Sequence, residues 1–265
     1  MAHRVHVRVA VSDDDECPHG LERAWCTLCK APLPTGVKRP AAPPSPRVRR
    51  PPSSARAAPP VARRPEDALS GLRKVLFHAT AYEAWPSIAE AGLRTATQLV
   101  ADDPDARTLD RLRDYDVVLK SATLRDQKPM VRANIEQHLT GTDLSGWLAM
   151  VNQRVFLYAQ QKSLTTLLSR SVAAGGQDVV VFDTRKLIHA AAGRVEVVTD
   201  ELAAPEPWAH CPCRGPETFV PIGTYRGDPA DVYEVAVFDG IPDVTGLVTR
   251  VVRYHPDHTT EVLVS

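Results

Sequence analysis

The chain has 265 residues, 43% of them hydrophobic and 24% charged, with 32 basic and 32 acidic side chains in balance; this suits a soluble globular protein with room for one large domain or two small ones. No apolar run approaches the eighteen or more residues that cross a bilayer, and the N-terminus MAHRVHVRVAVSDDDE lacks the apolar core of a secretory signal, so a cytoplasmic protein with no membrane partner is expected. Five cysteines, clustered at 17, 26, 29, 211 and 213, are an odd set that argues for metal binding over a disulfide framework.

Residues 1–30 are too few to build a hydrophobic core. They contain CPHGLERAWCTLC, which reads C-x-H-x6-C-x2-C. Cys26 and Cys29 have the two-residue spacing that brings two thiolates to one tetrahedral ion, and Cys17 and His19 complete a Cys3His set. Four ligands so close together let Zn²⁺ fold a segment that has no core. A closed set leaves no position for a catalytic water, so the zinc is structural and the segment a docking module. HCPC, with Cys211 and Cys213, lacks a clear fourth ligand and reads as a loop with incidental cysteines.

Residues 31–66 form a Pro/Ala/Arg-rich linker. From 31 to 65 it holds eleven of the 23 prolines, eight basic residues and no acid. Such proline density forbids helix and favours a semi-extended, disordered chain. Removing those eight bases leaves 24 against 32 acids, so the body of the protein is acidic and no broad grip for nucleic acid.

Residues 67–265 carry the alternating signals of one substantial domain. KVLFHAT reads as a strand and AYEAWPSIAEAGL as a short helix ended by Gly92. The stretches from 105 to 123 and from 128 to 139 read as mainly helical, and TDLSGWLAMVNQ as a helix capped by Thr142 or Asp143. RVFLYA is a strand, KSLTTLLSRSVAAGG a helix ended by paired glycines, and DVVVFDT a buried strand. RVEVVT, YEVAVFD, VTRVVRY and TEVLVS follow as short strands. Helices early and strands late make an α+β pattern, with a mixed or antiparallel sheet flanked by helices.

Three polar features stand out in that domain. His78 and Thr80 end an apolar strand; Arg125 and Lys128 sit in LRDQKPM, a break between helices; Glu234 opens a strand whose next four residues are apolar. A carboxylate there is either solvated at a sheet edge or held in a pocket. One carboxylate, one arginine and a histidine with a hydroxyl can bind a nucleotide and stabilise a cationic sugar transition state. No Walker A, G-x-G-x-x-G or H-E-x-x-H sequence is present, so those mechanisms have no support. DDDE at 13–16 and DDPD at 102–105 read as solvated charge runs, not as a nuclease cluster.

FHAT…WPSIAEAGL resembles the first NAD-binding motif of ADP-ribosyltransferases, and above all the DarT-type DNA ADP-ribosyltransferases and their uncharacterised bacterial relatives. LRDQKPM resembles the arginine-bearing element that follows in them, RVFLYAQQKSLTTLL their second strand and helix, and VYEVAVFDGIPDVTGLVTRVVRY their catalytic-glutamate strand. The resemblance spans most of 73–254 in motif order. It implies a split mixed sheet that binds NAD in its cleft. His78, Thr80 and the aromatics Phe156 or Tyr158 would hold NAD, with Arg125 and Glu234 catalytic. Glu217 in PETFVPI is a rival glutamate, set aside because Glu234 opens the strand in the matching context. The segment from 95 to 125 departs from the DNA-contacting loop of that family, which leaves the acceptor open. Single-stranded DNA or RNA is the acceptor the analogy favours, an antitoxin or partner protein is a further expected partner, and the zinc segment and basic linker would bring the domain to nucleic acid or to a partner protein. The competing expectation is a catalytically inactive nucleotide- or nucleic-acid-binding module recruited through that segment.

Overall fold

The structure, a computed structural model, describes residues 64–103, 109, 112, 113, 116–125, 132–199 and 214–265. Cys17, His19, Cys26, Cys29, the linker to residue 63, Lys128, Cys211 and Cys213 lie outside the described residues.

Helix α1 (Pro65–Leu72) opens just ahead of the expected domain boundary at 67, with proline in its first turn, where a missing N–H costs nothing, and Glu66 and Asp67 beside the helix dipole. β1 (Val75–Thr80) follows. Its alternation puts Leu76, His78 and Thr80 on one face and Phe77 and Ala79 on the other. α2 (Trp85–Ala91) ends at Gly92, which adopts φ 77° and returns its N–H to the Ile88 carbonyl. α3 (Ala96–Ala101) is opened by a capping box between Thr95 and Gln98; it is too short to show apolar periodicity.

The helical expectation for 105–123 is corrected where that stretch is described. Its end is a hairpin, β2 (Val117–Val118) against β3 (Thr123–Leu124), closed by the Leu119 N–H donating to the Ala122 carbonyl at 2.8 Å. Adjacent β-branched valines favour extended backbone. The buried carboxylate of Asp103 accepts the Lys120 N–H at 3.0 Å and pins the turn. α4 (Arg132–His138) and α5 (Leu144–Asn152) follow, and of the two candidate caps it is Asp143 whose Oδ1 accepts the Gly146 N–H at 2.8 Å.

The remaining elements are β4 (Arg154–Tyr158), α6 (Gln161–Gly175), β5 (Gln177–Asp183), α7 (Thr184–Ala190), β6 (Val195–Val198), β7 (Val220–Pro221), β8 (Glu234–Phe238), β9 (Val248–Tyr254) and β10 (Thr260–Val264). Eight strands form one sheet in the order β10-β9-β5-β1-β4-β8-β6-β7, and all its ladders are antiparallel. The architecture is α+β with an antiparallel sheet. Its centre is thin: β1 and β5 share six register pairs and β4 and β8 share five, but β1 and β4 meet only at Phe77 and Tyr158. Two half-sheets are joined there by a single pair.

The core explains why the halves stay together. On one face Leu69 of α1, Ile88 of α2 and Leu187 of α7 pack on Leu76, Leu157, Phe182 and Val235, drawn from both halves. On the other face α6 covers Phe77, Val179 and Val252 through Leu164 and Val172. Trp147 and Leu148 of α5, with Ile135 of α4, cover Val198 and Ala236. Each such buried side chain contributes about 1.5–3 kcal/mol. Among the described residues no helix is long and apolar enough to cross a membrane.

Candidate active site in the sheet divergence

The site starts from a missing pair. Beyond Phe77 and Tyr158 the next residues to face each other would be Ala79 and Phe156, but that pair does not form. The His78 ring lies there instead, with Nδ1 2.9 Å from the Phe156 carbonyl oxygen. A carbonyl only accepts, so Nδ1 carries the proton and Nε2 is left as an acceptor. Burial holds the imidazole pKa below its ordinary 6.5; the hydrogen bond to Phe156 opposes this, and the positive charge of Arg125 adds to it. The ring is neutral near neutral pH.

A cavity of about 570 Å³ opens at this divergence. Its wall takes in His78, Thr80, Arg125, Phe156, Tyr158 and Glu234. The four stretches that carry the sequence candidates therefore meet on one space. His78 and Thr80 come from the end of β1, the aromatics from β4, Arg125 from the residue after β3, and Glu234 from the head of β8. Glu234 is not at a sheet edge, which overturns the solvated-edge alternative. β8 lies between β4 and β6, with Glu234 paired to Tyr158 on one side and Val198 on the other, and the residue is 6% exposed. The backbone just before it is fixed from both sides: the Tyr233 N–H donates to the Val198 carbonyl at 3.0 Å, and the Ala159 N–H donates to the Tyr233 carbonyl at 2.9 Å. Glu217 sits exposed in a 3-10 turn, Pro216–Thr218, and does not border the cavity.

The wall also contains residues that the sequence did not single out. Arg154, at the head of β4, reaches across β8 to Glu196 with a two-pronged ion pair, Nε to Oε2 at 2.6 Å and Nη2 to Oε1 at 3.0 Å. A lone charge entering each of two apolar strands, RVFLY and VEVV, was the available signal. Tyr82 and Glu83 form the turn after β1, and Glu83 adopts φ 63°. That turn is held from β5 and β9. Asp178, fully buried, accepts the Trp85 N–H at 3.0 Å and grips Arg253 at 2.8 and 3.0 Å. Arg253 in turn lies 5.1 Å from the Tyr82 ring centroid, and the Tyr82 hydroxyl pairs with His255 Nδ1 at 2.8 Å. Partners so far apart in the chain leave no local sequence signal. Arg113 also borders the cavity, and burial lowers its pKa from the ordinary arginine value. Among the described residues no group of three or more His, Cys, Asp or Glu is placed to hold a metal.

In chemical terms, the wall of the cavity offers a buried carboxylate, several arginines, a neutral imidazole with an acceptor nitrogen, hydroxyls and three aromatic rings. Its size is that of a site for a small ligand or a dinucleotide. No curated protein matches the chain. A family described as "Family of unknown function (DUF7002)" matches residues 74–248, a stretch that runs from the residue before β1 to the first residue of β9 and includes the whole set of candidate residues on the cavity. The chain is a member of that family of unknown function.

Proposed function

We propose that the protein is an NAD-dependent ADP-ribosyltransferase of DarT-like type, with a nucleic-acid base as acceptor. The observation that carries the reading is the convergence of four separated stretches, each bearing one element of the resemblance, on a single cavity. The join of two half-sheets at one pair is compatible with the split sheet of that fold, although all its ladders are antiparallel rather than mixed.

In this reading the bond between the nicotinamide nitrogen and ribose C1′ breaks, and its electron pair stays on the ring nitrogen. The acceptor nucleophile forms the new bond to C1′ and releases its proton. Glu234 accepts a hydrogen bond from a ribose hydroxyl and faces the positive charge that develops at C1′. His78 Nε2 and the Thr80 hydroxyl fix the ribose or the amide, Phe156 and Tyr158 flank the nicotinamide, and Arg125 orients the acceptor. A base inside a duplex cannot reach such a cavity, so single-stranded DNA or RNA is the expected substrate. The Cys17, His19, Cys26 and Cys29 segment would bind structural zinc and, with the basic linker, bring nucleic acid or a partner protein to the domain.

The test is incubation with NAD labelled in its adenosine half, offered with single-stranded DNA, single-stranded RNA or protein. Covalent label on one nucleic acid supports the reading and names the acceptor. Label on protein alone would overturn the acceptor assignment, and NAD binding without any transfer would make the domain a binding module.

A further inference from the structure

The placement of Arg125 needs an explanation, because the hairpin that leads into it cannot supply one. β2 and β3 have two residues each, and Val118 is 81% exposed. A two-stranded hairpin of that size has no stability of its own. Leu119 and Leu124 are buried and anchor the hairpin on the body of the domain, and the Arg125 backbone that follows is held by a further tether.

Arg113 is such a tether. Its Nε–H donates to the Arg125 carbonyl oxygen at 3.0 Å, and its Nη1 donates to Oδ1 of Asn152 at 3.3 Å. Asn152 is the last residue of α5 and is 2% exposed. Its Nδ2 donates to the Leu109 carbonyl at 3.2 Å, and its own carbonyl accepts from Thr97 Oγ1 at 3.0 Å. One buried asparagine therefore ties α3, α5, Leu109 and Arg113 together, and Arg113 carries that rigidity to the backbone of Arg125. The planar guanidinium suits this task, since it presents its donors in a fixed fork that bridges two acceptors at once.

We propose that Arg113 is the positioning residue for Arg125, fixing through Asn152 the backbone from which the Arg125 guanidinium enters the cavity beside His78. The functional consequence rests on the reading that Arg125 faces the ligand; the positional claim does not.

His78 supplies a readout for the position of Arg125: burial lowers its pKa most, and the Arg125 charge lowers it further. Glu83, Arg94, Arg154, Glu234 and Tyr158 border the same cavity and are retained in every variant; Arg113 borders it too, so a direct effect of its own charge on His78 would add to that of Arg125 in the double variant. The experiment is an NMR titration of the His78 ring in the full chain, in wild type, Arg125→Gln, Arg113→Gln and the double variant. Arg125→Gln is expected to raise the His78 pKa. Arg113→Gln is expected to raise it in the same direction, and the double variant no further than Arg125→Gln alone, the sign that Arg113 acts through Arg125. An Arg113→Gln titration that overlays wild type, or effects that add in the double variant, would overturn the proposal. If Arg113→Gln does not fold, Arg113→Lys decides: lysine cannot bridge both acceptors, so a smaller rise is expected, and no rise contradicts the claim. In an NAD-turnover assay Arg113→Gln is expected to lower kcat by about 10- to 100-fold, the cost of misplacing a group by about an ångström, with KM for NAD little changed. A wild type that does not turn over NAD would remove the transferase reading and leave the titration to decide the positional claim.

Discussion

Burying a carboxylate and a histidine in the wall of an otherwise apolar strand junction costs stability, and the chain has done both within one cavity. His78 makes that cost measurable. Its folded pKa lies below 6.5, so as pH falls the unfolded chain takes up this proton before the folded chain does. Stability from this group is complete above about pH 6.5 and is lost as pH falls from there toward the lowered folded value. Denaturant melts at about pH 7.5 and pH 5.5 should therefore show a loss in wild type that is smaller in His78→Gln; equal losses would remove His78 as the cause. His78, Thr80 and Glu234 were legible in the sequence because each is a polar intrusion into an apolar strand. Arg113, Asn152 and Asp178 were not. Each has its meaning in a partner far along the chain, as with Asp178 and Arg253, 75 residues apart, and no periodicity reports that.

At the level of elements, strand and helix patterns translate well wherever apolar periodicity is strong, as in VLFHAT, DVVVFDT and the α5 segment. The β2–β3 hairpin was hidden because its strands are two residues long and polar residues surround them. The turn from β1 to α2 depends on the buried pair of Asp178 and Arg253, whose side chains are 0% and 13% exposed. Asp178→Ala removes the two-pronged partner and leaves a nearly buried guanidinium with only the looser Glu83 carboxylate at 3.9 Å, which should cost about 3 kcal/mol in equilibrium unfolding; a loss under about 1 kcal/mol would mean the pair is dispensable. The other end of α2 is fixed by Gly92, at φ 77°, where a Cβ would collide with the carbonyl groups of Ile241 and Pro242. That close approach lets Leu93 and Ile241 exchange two backbone hydrogen bonds of 2.8 Å. Gly92→Ala is accordingly expected to destabilise by at least about 1–3 kcal/mol, and a neutral melt would show that the α2 end can shift without strain.

For the whole molecule, the decisive feature is a sheet that is continuous in order yet nearly severed at its centre, so that its two halves share a core on one face and open a cavity between them. The α+β class is legible in the order of helical and strand patterns, but this join is not, since strand order and register depend on contacts that no local pattern encodes. The N-terminal segment has its own test. The full chain should carry about one zinc per molecule, and Cys26→Ser should carry none; a metal-free wild type purified without chelator would remove the zinc proposal. The central claim is tested most directly by nicotinamide release from NAD by the full chain, with and without single-stranded DNA or RNA, in wild type and Glu234→Gln. Release that depends on nucleic acid and falls by about 100-fold or more in the folded variant is the predicted result. Release unaffected by Glu234→Gln, or none from wild type with any acceptor, would contradict it.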